Sequence, residues 1–78
     1  MFCMKNTERP EYRLIVARLI EARQNAGLSQ AAAATSIGKP PSYIAKVELC
    51  ERRMDILEMK QLSLIYGVAF KSIIKELL

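Results

Sequence analysis

The stretch Ser29-Gln30-Ala31-Ala32-Ala33-Ala34-Thr35-Ser36-Ile37-Gly38-Lys39-Pro40-Pro41-Ser42-Tyr43-Ile44-Ala45-Lys46-Val47-Glu48 decides how this chain folds. The Ser29 hydroxyl is placed to accept from a free amide one turn in, which predicts a short helix over residues 30–37. Its four alanines favour helix and let another backbone come close. Gly38 ends it, because helices commonly close on a left-handed residue that glycine adopts cheaply. Residues 39–42 form a turn, since each proline fixes φ and disfavours helix in the residue before it. A second helix is predicted from Pro41 to about Leu49. Helix, glycine turn and helix make a helix-turn-helix over residues 29–48. Ala34 lies where the two helices cross, while Ile37, Ile44 and Val47 pin the second helix to a core. Pro41, Ser42, Tyr43 and Lys46 then fall on its outer face, open to a groove.

The other two glycines extend the pattern in both directions. A helix over residues 10–26 is predicted to close at Gly27, with Thr7 as N-cap and Pro10 in the first turn. Tyr12, Ile15, Leu19 and Ala22 recur at spacings of three and four, and Arg13, Arg18 and Arg23 fall elsewhere, so this helix is amphipathic. A polar connection over residues 49–54 follows the second helix of the pair. Asp55 with Glu58 three residues on reads as a capping box that opens a helix over residues 56–66. Its core face is Leu57 or Ile56, with Leu62 and Ile65, and Gly67 closes it. A last helix over residues 70–77 carries Phe70, Ile73, Ile74 and Leu77. The expected fold is all-α: five helices, no strand, an arm at residues 1–9 and one domain at residues 10–78.

Composition fits that outline and excludes other classes. The 78 residues are 51% apolar and 26% charged, which is globular and too hydrophobic for disorder. A chain this short buries about 60% of the surface its unfolded form exposes, so one small core is expected. No apolar run reaches the about 18 residues of a membrane span. Met1-Phe2-Cys3-Met4-Lys5 is not followed by the apolar core of a secretory signal. Cys3 and Cys50 lie far apart, and there is no histidine. The chain therefore offers neither a disulfide framework nor a zinc site, and no Ser-His or Cys-His dyad. The three glycines stand alone, so no loop cradles a phosphate. No metal, cofactor, membrane or catalytic activity is expected, and a reduced cytoplasm is the expected location.

Several matched positions with the right gaps now add up to a resemblance. These are Ala26-Gly27-Leu28-Ser29-Gln30, Ala33-Ala34, the run from Ile37 to Glu48, Arg52-Arg53, Ile56-Leu57-Glu58, Leu62 and Tyr66-Gly67-Val68. Over about residues 14–77 the chain closely resembles the phage-repressor and Cro-type helix-turn-helix family, the XRE-like regulators. The resemblance implies a compact lambda-repressor-like domain that binds double-stranded DNA in a bacterial or phage setting, close to the nucleoid. It implies that Gln30, at a helix N-terminus that suits a phosphate, contacts the DNA backbone. Pro41, Ser42, Tyr43 and Lys46 match the positions that face bases or the groove, and Lys39 sits at the entrance beside a phosphate. Arg23 and Glu48 match a structural ion pair that joins the first and third helices. Four departures stand out. Ala33 replaces a leucine, which leaves the core less filled. Cys50 replaces a left-handed glycine and implies either a different helix exit or mild strain. Pro41 replaces a frequent glutamine, and Ala69 replaces a capping Ser or Thr.

Charge agrees with that partner without requiring it. Twelve basic side chains face eight acidic ones, a net of +4. Lys39, Lys46, Arg52 and Arg53 gather around the second helix of the pair, and such a cluster is either a DNA footprint or a solvated surface. Arg52 and Arg53 read as phosphate contacts rather than base readers. Tyr43 either touches the DNA or covers the helix pair, and Ser42 is either a reader or a cap. Phe2, Cys3 and Met4 either add an apolar arm or are disordered. Core packing explains part of the apolar run of Phe70, Ile73, Ile74 and Leu77, and a spare apolar face there suggests a dimer surface. One recognition helix reads few base pairs, so a homodimer on a pseudo-palindromic operator is expected, acting as repressor or activator. The competing expectation is a protein-interaction module that keeps this fold and binds a protein partner, of antitoxin or phage-regulatory type, through its last helix.

Overall fold

The computed structural model describes residues 9–77; Thr7 and the Phe2-Cys3-Met4 arm lie outside the described residues. Five α-helices follow in order, with no strand among the described residues. They are α1 (Pro10–Asn25), α2 (Gln30–Ser36), α3 (Tyr43–Glu48), α4 (Ile56–Ile65) and α5 (Phe70–Ile73), followed by a single 3-10 turn at Lys75–Leu77. The fold is a small all-α helix-turn-helix fold.

Local chemistry sets each start. Ser29 Oγ accepts from the Ala32 amide at 3.0 Å, and Asp55 Oδ1 accepts from the Glu58 amide at 2.9 Å. Ala69 offers α5 no such bond, and that helix lasts only four residues. α3 starts two residues later than predicted. Pro41 and Ser42 belong to a turn that the Tyr43 amide closes on Pro40 O at 2.9 Å. Ser42 holds the N-cap position, but its hydroxyl caps nothing.

Four helices end in the same motif. The amide two residues past the last helical cap returns to a carbonyl five residues back: Leu28 to Arg23, Lys39 to Ala34, Glu51 to Lys46 and Val68 to Ser63. The residue between them is left-handed each time. It is Gly27, Gly38 and Gly67 at three ends and Cys50, with φ 61, at the fourth. Cys50 thus keeps the exit a glycine would take, and the strain alternative is the one realised. A side chain there costs roughly 1–2 kcal/mol against the glycine geometry.

α1 packs across α3, α4 and α5, while α2 packs on α3 and α4. Tyr12, Ile15, Val16, Leu19 and Ala22 give α1 its buried stripe. Ala33 and Ala34 are both 0% exposed, so small side chains form the buried face of α2. Ile44 and Val47 hold α3 from below, and Arg18 Nη1 donates to Ile73 O at 3.3 Å, tying α1 to the end of α5. Three expectations need correction. Ile56 and Leu57 are 58% and 71% exposed, and Met59, Leu62 and Ser63 form the buried face of α4 instead. Met54, expected in a polar connection, is 3% exposed, and its amide donates to Tyr12 Oη at 3.2 Å. Ile73, assigned to a dimer surface, is 3% exposed and belongs to the core; Phe70 and Ile74 are half-buried and Leu77 is exposed.

Candidate nucleic-acid interface

α3 is held at both ends by a carboxylate, each within a small polar cluster. At its C-terminal end Glu48 takes Arg23 in a two-point grip, with Nε to Oε2 at 2.6 Å and Nη2 to Oε1 at 3.1 Å. Both side chains are largely buried, 11% and 9% exposed. Arg23 Nη1 also donates to Leu28 O at 2.8 Å, and Gln30 Nε2 donates to Glu48 Oε1 at 2.8 Å. The hydrogen bond to Glu48 holds the Arg23 guanidinium above its ordinary pKa. Tyr66 lies close enough to feel Glu48, and burial pushes its pKa up to about 12. This cluster joins α1, α2 and α3.

At the N-terminal end Tyr43 Oη donates to Glu58 Oε1 at 2.6 Å, and Lys39 Nζ pairs with Glu58 Oε2 at 2.9 Å. Lys39 and Arg52 each place their charge 5.3 Å from the centre of the Tyr43 ring. Burial and the Glu58 carboxylate push the Tyr43 pKa up to about 12. The Tyr43 hydrogen bond, helped by Lys39, holds Glu58 below the usual carboxylate range. This cluster joins the α2–α3 turn, α3 and α4.

These contacts correct the groove-facing expectation for Tyr43, which is 6% exposed. Of the two roles open to it, covering the helix pair is the one its burial fits. Around that ring Lys39, Pro40, Ser42, Lys46 and Arg52 line one shallow depression. Pro41 is exposed in the turn beside it. Arg53 is exposed but lines a different, apolar groove with Arg9, Met54, Ile56 and Leu77. Gln30 gives an amide hydrogen to Glu48, so part of its bonding capacity is committed inside the fold. Sequence reasoning overlooked Glu58 as a member of this surface. The capping-box pattern drew it toward the helix start, yet its carboxylate reaches Tyr43 and Lys39. No carboxylate among the described residues pairs with Lys46 or Arg52. The depression therefore carries net positive charge with one acid at its edge.

A helix pair locked by a small-residue crossing, with an exposed second helix flanked by cations, is the architecture of helix-turn-helix proteins. The family model for helix-turn-helix domains matches residues 19–73, which is most of the chain. The chain belongs to this helix-turn-helix family, a family of DNA-binding domains. Neither the curated proteins nor the solved structures provide a match. No helix among the described residues is long and apolar enough to cross a membrane.

Proposed function

We propose that the chain is a sequence-specific transcriptional regulator whose DNA-binding domain, residues 10–78, acts as a homodimer on a pseudo-palindromic operator. α3 enters the major groove with Ser42 and Lys46 toward base edges, and Pro41 shapes the entrance. Arg52 contacts phosphate beside it, and Lys39 stands at the rim. Gln30 sits at the first turn of α2, where helix amides favour a phosphate. The observation that carries this reading is the depression of Ser42, Lys46 and Arg52 around the buried Tyr43 ring. It presents positive charge along the outer edge of α3 and the turn before it. Such a protein works where the DNA is, in the cytoplasm.

Dimerisation is supported by apolar side chains left at the surface. Ile56 and Leu77 are exposed, and together with Ile74 they line the groove that also takes Arg53. The same groove favours the second reading, a protein partner bound near the last helix. A gel shift with upstream DNA fragments at two salt concentrations separates the readings. The regulator gives a discrete band that resists competitor DNA and is lost in Lys46→Ala. A protein-interaction module gives only diffuse retention that salt erases equally in both proteins.

A further inference from the structure

Both oxygens of Glu58 are engaged on the surface that faces the proposed groove: Oε1 with the Tyr43 hydroxyl, Oε2 with the Lys39 ammonium. Lys39 is nonetheless one-third exposed (33%), so it lies at the rim of the depression within reach of an approaching phosphate. Lys46 and Arg52 share that depression and carry no carboxylate partner among the described residues. From this asymmetry we infer that Glu58 is a positioning residue that sets the electrostatic strength of DNA binding. It fixes Tyr43 beneath α3 and at the same time withholds the Lys39 charge from phosphate. The inference rests on the DNA reading above.

The physical reason is charge counting. A cation that neutralises a phosphate releases a counterion, and each such contact steepens the salt dependence of log K by about 0.9. A phosphate reaching Lys39 must either displace Glu58 or accept the carboxylate as a near neighbour. In both cases the Lys39–Glu58 pair contributes little net charge. Glu58→Gln removes the charge and keeps an amide oxygen that accepts from Tyr43 Oη, so the ring stays anchored while Lys39 is released.

The test measures affinity for a double-stranded fragment, selected by the protein from a random pool, over a range of salt. Glu58→Gln is expected to steepen the slope by about 0.9 per subunit and tighten binding roughly eightfold per subunit at 0.1 M salt. Lys39→Gln is expected to cancel the gain in the Glu58→Gln background, where no cation is then left at that position to reach a phosphate. Glu51→Gln removes the same charge from an exposed neighbour and should give less than half of the gain. An unchanged slope in Glu58→Gln overturns the inference, as does an equal gain in Glu51→Gln. A gain in Glu58→Gln that survives the added Lys39→Gln change also overturns it, since the released charge is then not that of Lys39. If the natural chain selects no fragment, or Lys46→Ala binds as well as it does, the DNA reading itself fails. Binding that needs Lys46 but ignores Glu58 removes only the inference drawn here.

Discussion

The two ends of α3 are held by the same kind of chemistry at different depths. Glu48 and Glu58 each bind one cation and lie beside one buried tyrosine. The Arg23–Glu48 side chains are about 10% exposed, whereas Lys39 and Glu58 are 33% and 19% exposed. That difference separates what each acid does. A buried, two-point guanidinium pair cannot be broken without stranding a charge, so it fixes how three helices meet. A rim pair is screened by solvent and adds little stability, which leaves its charge free to matter to a partner. α3 is thus locked at its C-terminal end and held by a solvent-screened pair at its N-terminal end.

The broadest test of this contrast is alkaline. Unfolded tyrosines ionise near pH 10, while burial keeps Tyr43 and Tyr66 neutral up to about 12. Stability is therefore full below pH 10 and falls between about 10 and 12, by on the order of 4 kcal/mol for the two rings together. Urea midpoints taken from pH 8 to 12 check this; Tyr43→Phe and Tyr66→Phe should each remove a large part of the fall, and Tyr12, whose pKa burial also raises, supplies a further part. Next in size is Glu48→Ala, which strands the Arg23 guanidinium and should lower unfolding free energy by about 3 kcal/mol. If it costs no more than a surface substitution, the two ends are alike and the contrast collapses. Cys50→Gly should stabilise the chain by about 0.5–1 kcal/mol, since the left-handed exit favours glycine even after its greater unfolded freedom is counted. A thermal melt would register this as a small upward shift. Smallest is Glu58→Gln at neutral pH, below about 1 kcal/mol in stability. Glu58 is held below its ordinary value near 4.5, so the stability it adds is present above that pH and lost as pH falls through the lowered value. The glutamine variant should flatten that part of the acid limb.

Much of the fold was legible because its signals are local. Ser29 and Asp55 cap what their side chains suggest, and Gly27, Gly38 and Gly67 mark helix ends through backbone geometry alone. The buried stripe of α1 follows from spacing. α4 was harder because apolar residues surround it: Ile56, Leu57, Met59, Leu62, Leu64 and Ile65 leave no clean stripe, and periodicity could not choose a face. Met54, just before the helix, is buried where Ile56 and Leu57 are not. α5 stops after four residues, with no side-chain cap at Ala69, and an apolar run this short does not show which of its members pack inward; Ile73 does.

The candidate surface was legible in the same uneven way. Residue type and position marked Lys39, Ser42, Tyr43, Lys46 and Arg52, which the fold gathers around one depression. Whether Tyr43 pointed out or in depended on a partner fifteen residues away on another helix. No period or motif links Tyr43 to Glu58, and only the packing of α3 on α4 brings them together. Arg52 and Arg53 are adjacent in sequence yet line different grooves.

α3 is six residues long, less than two turns, and α2 is seven. Helices this short do not persist alone in water, because nucleation outweighs the few bonds gained. α3 therefore exists only while the whole core holds. Two things follow. Thermolabile loss-of-function alleles should scatter through the buried Ile15, Leu19, Ile44 and Leu62. Operator DNA, in turn, should act as a folding ligand, raising the melting temperature in step with its own concentration.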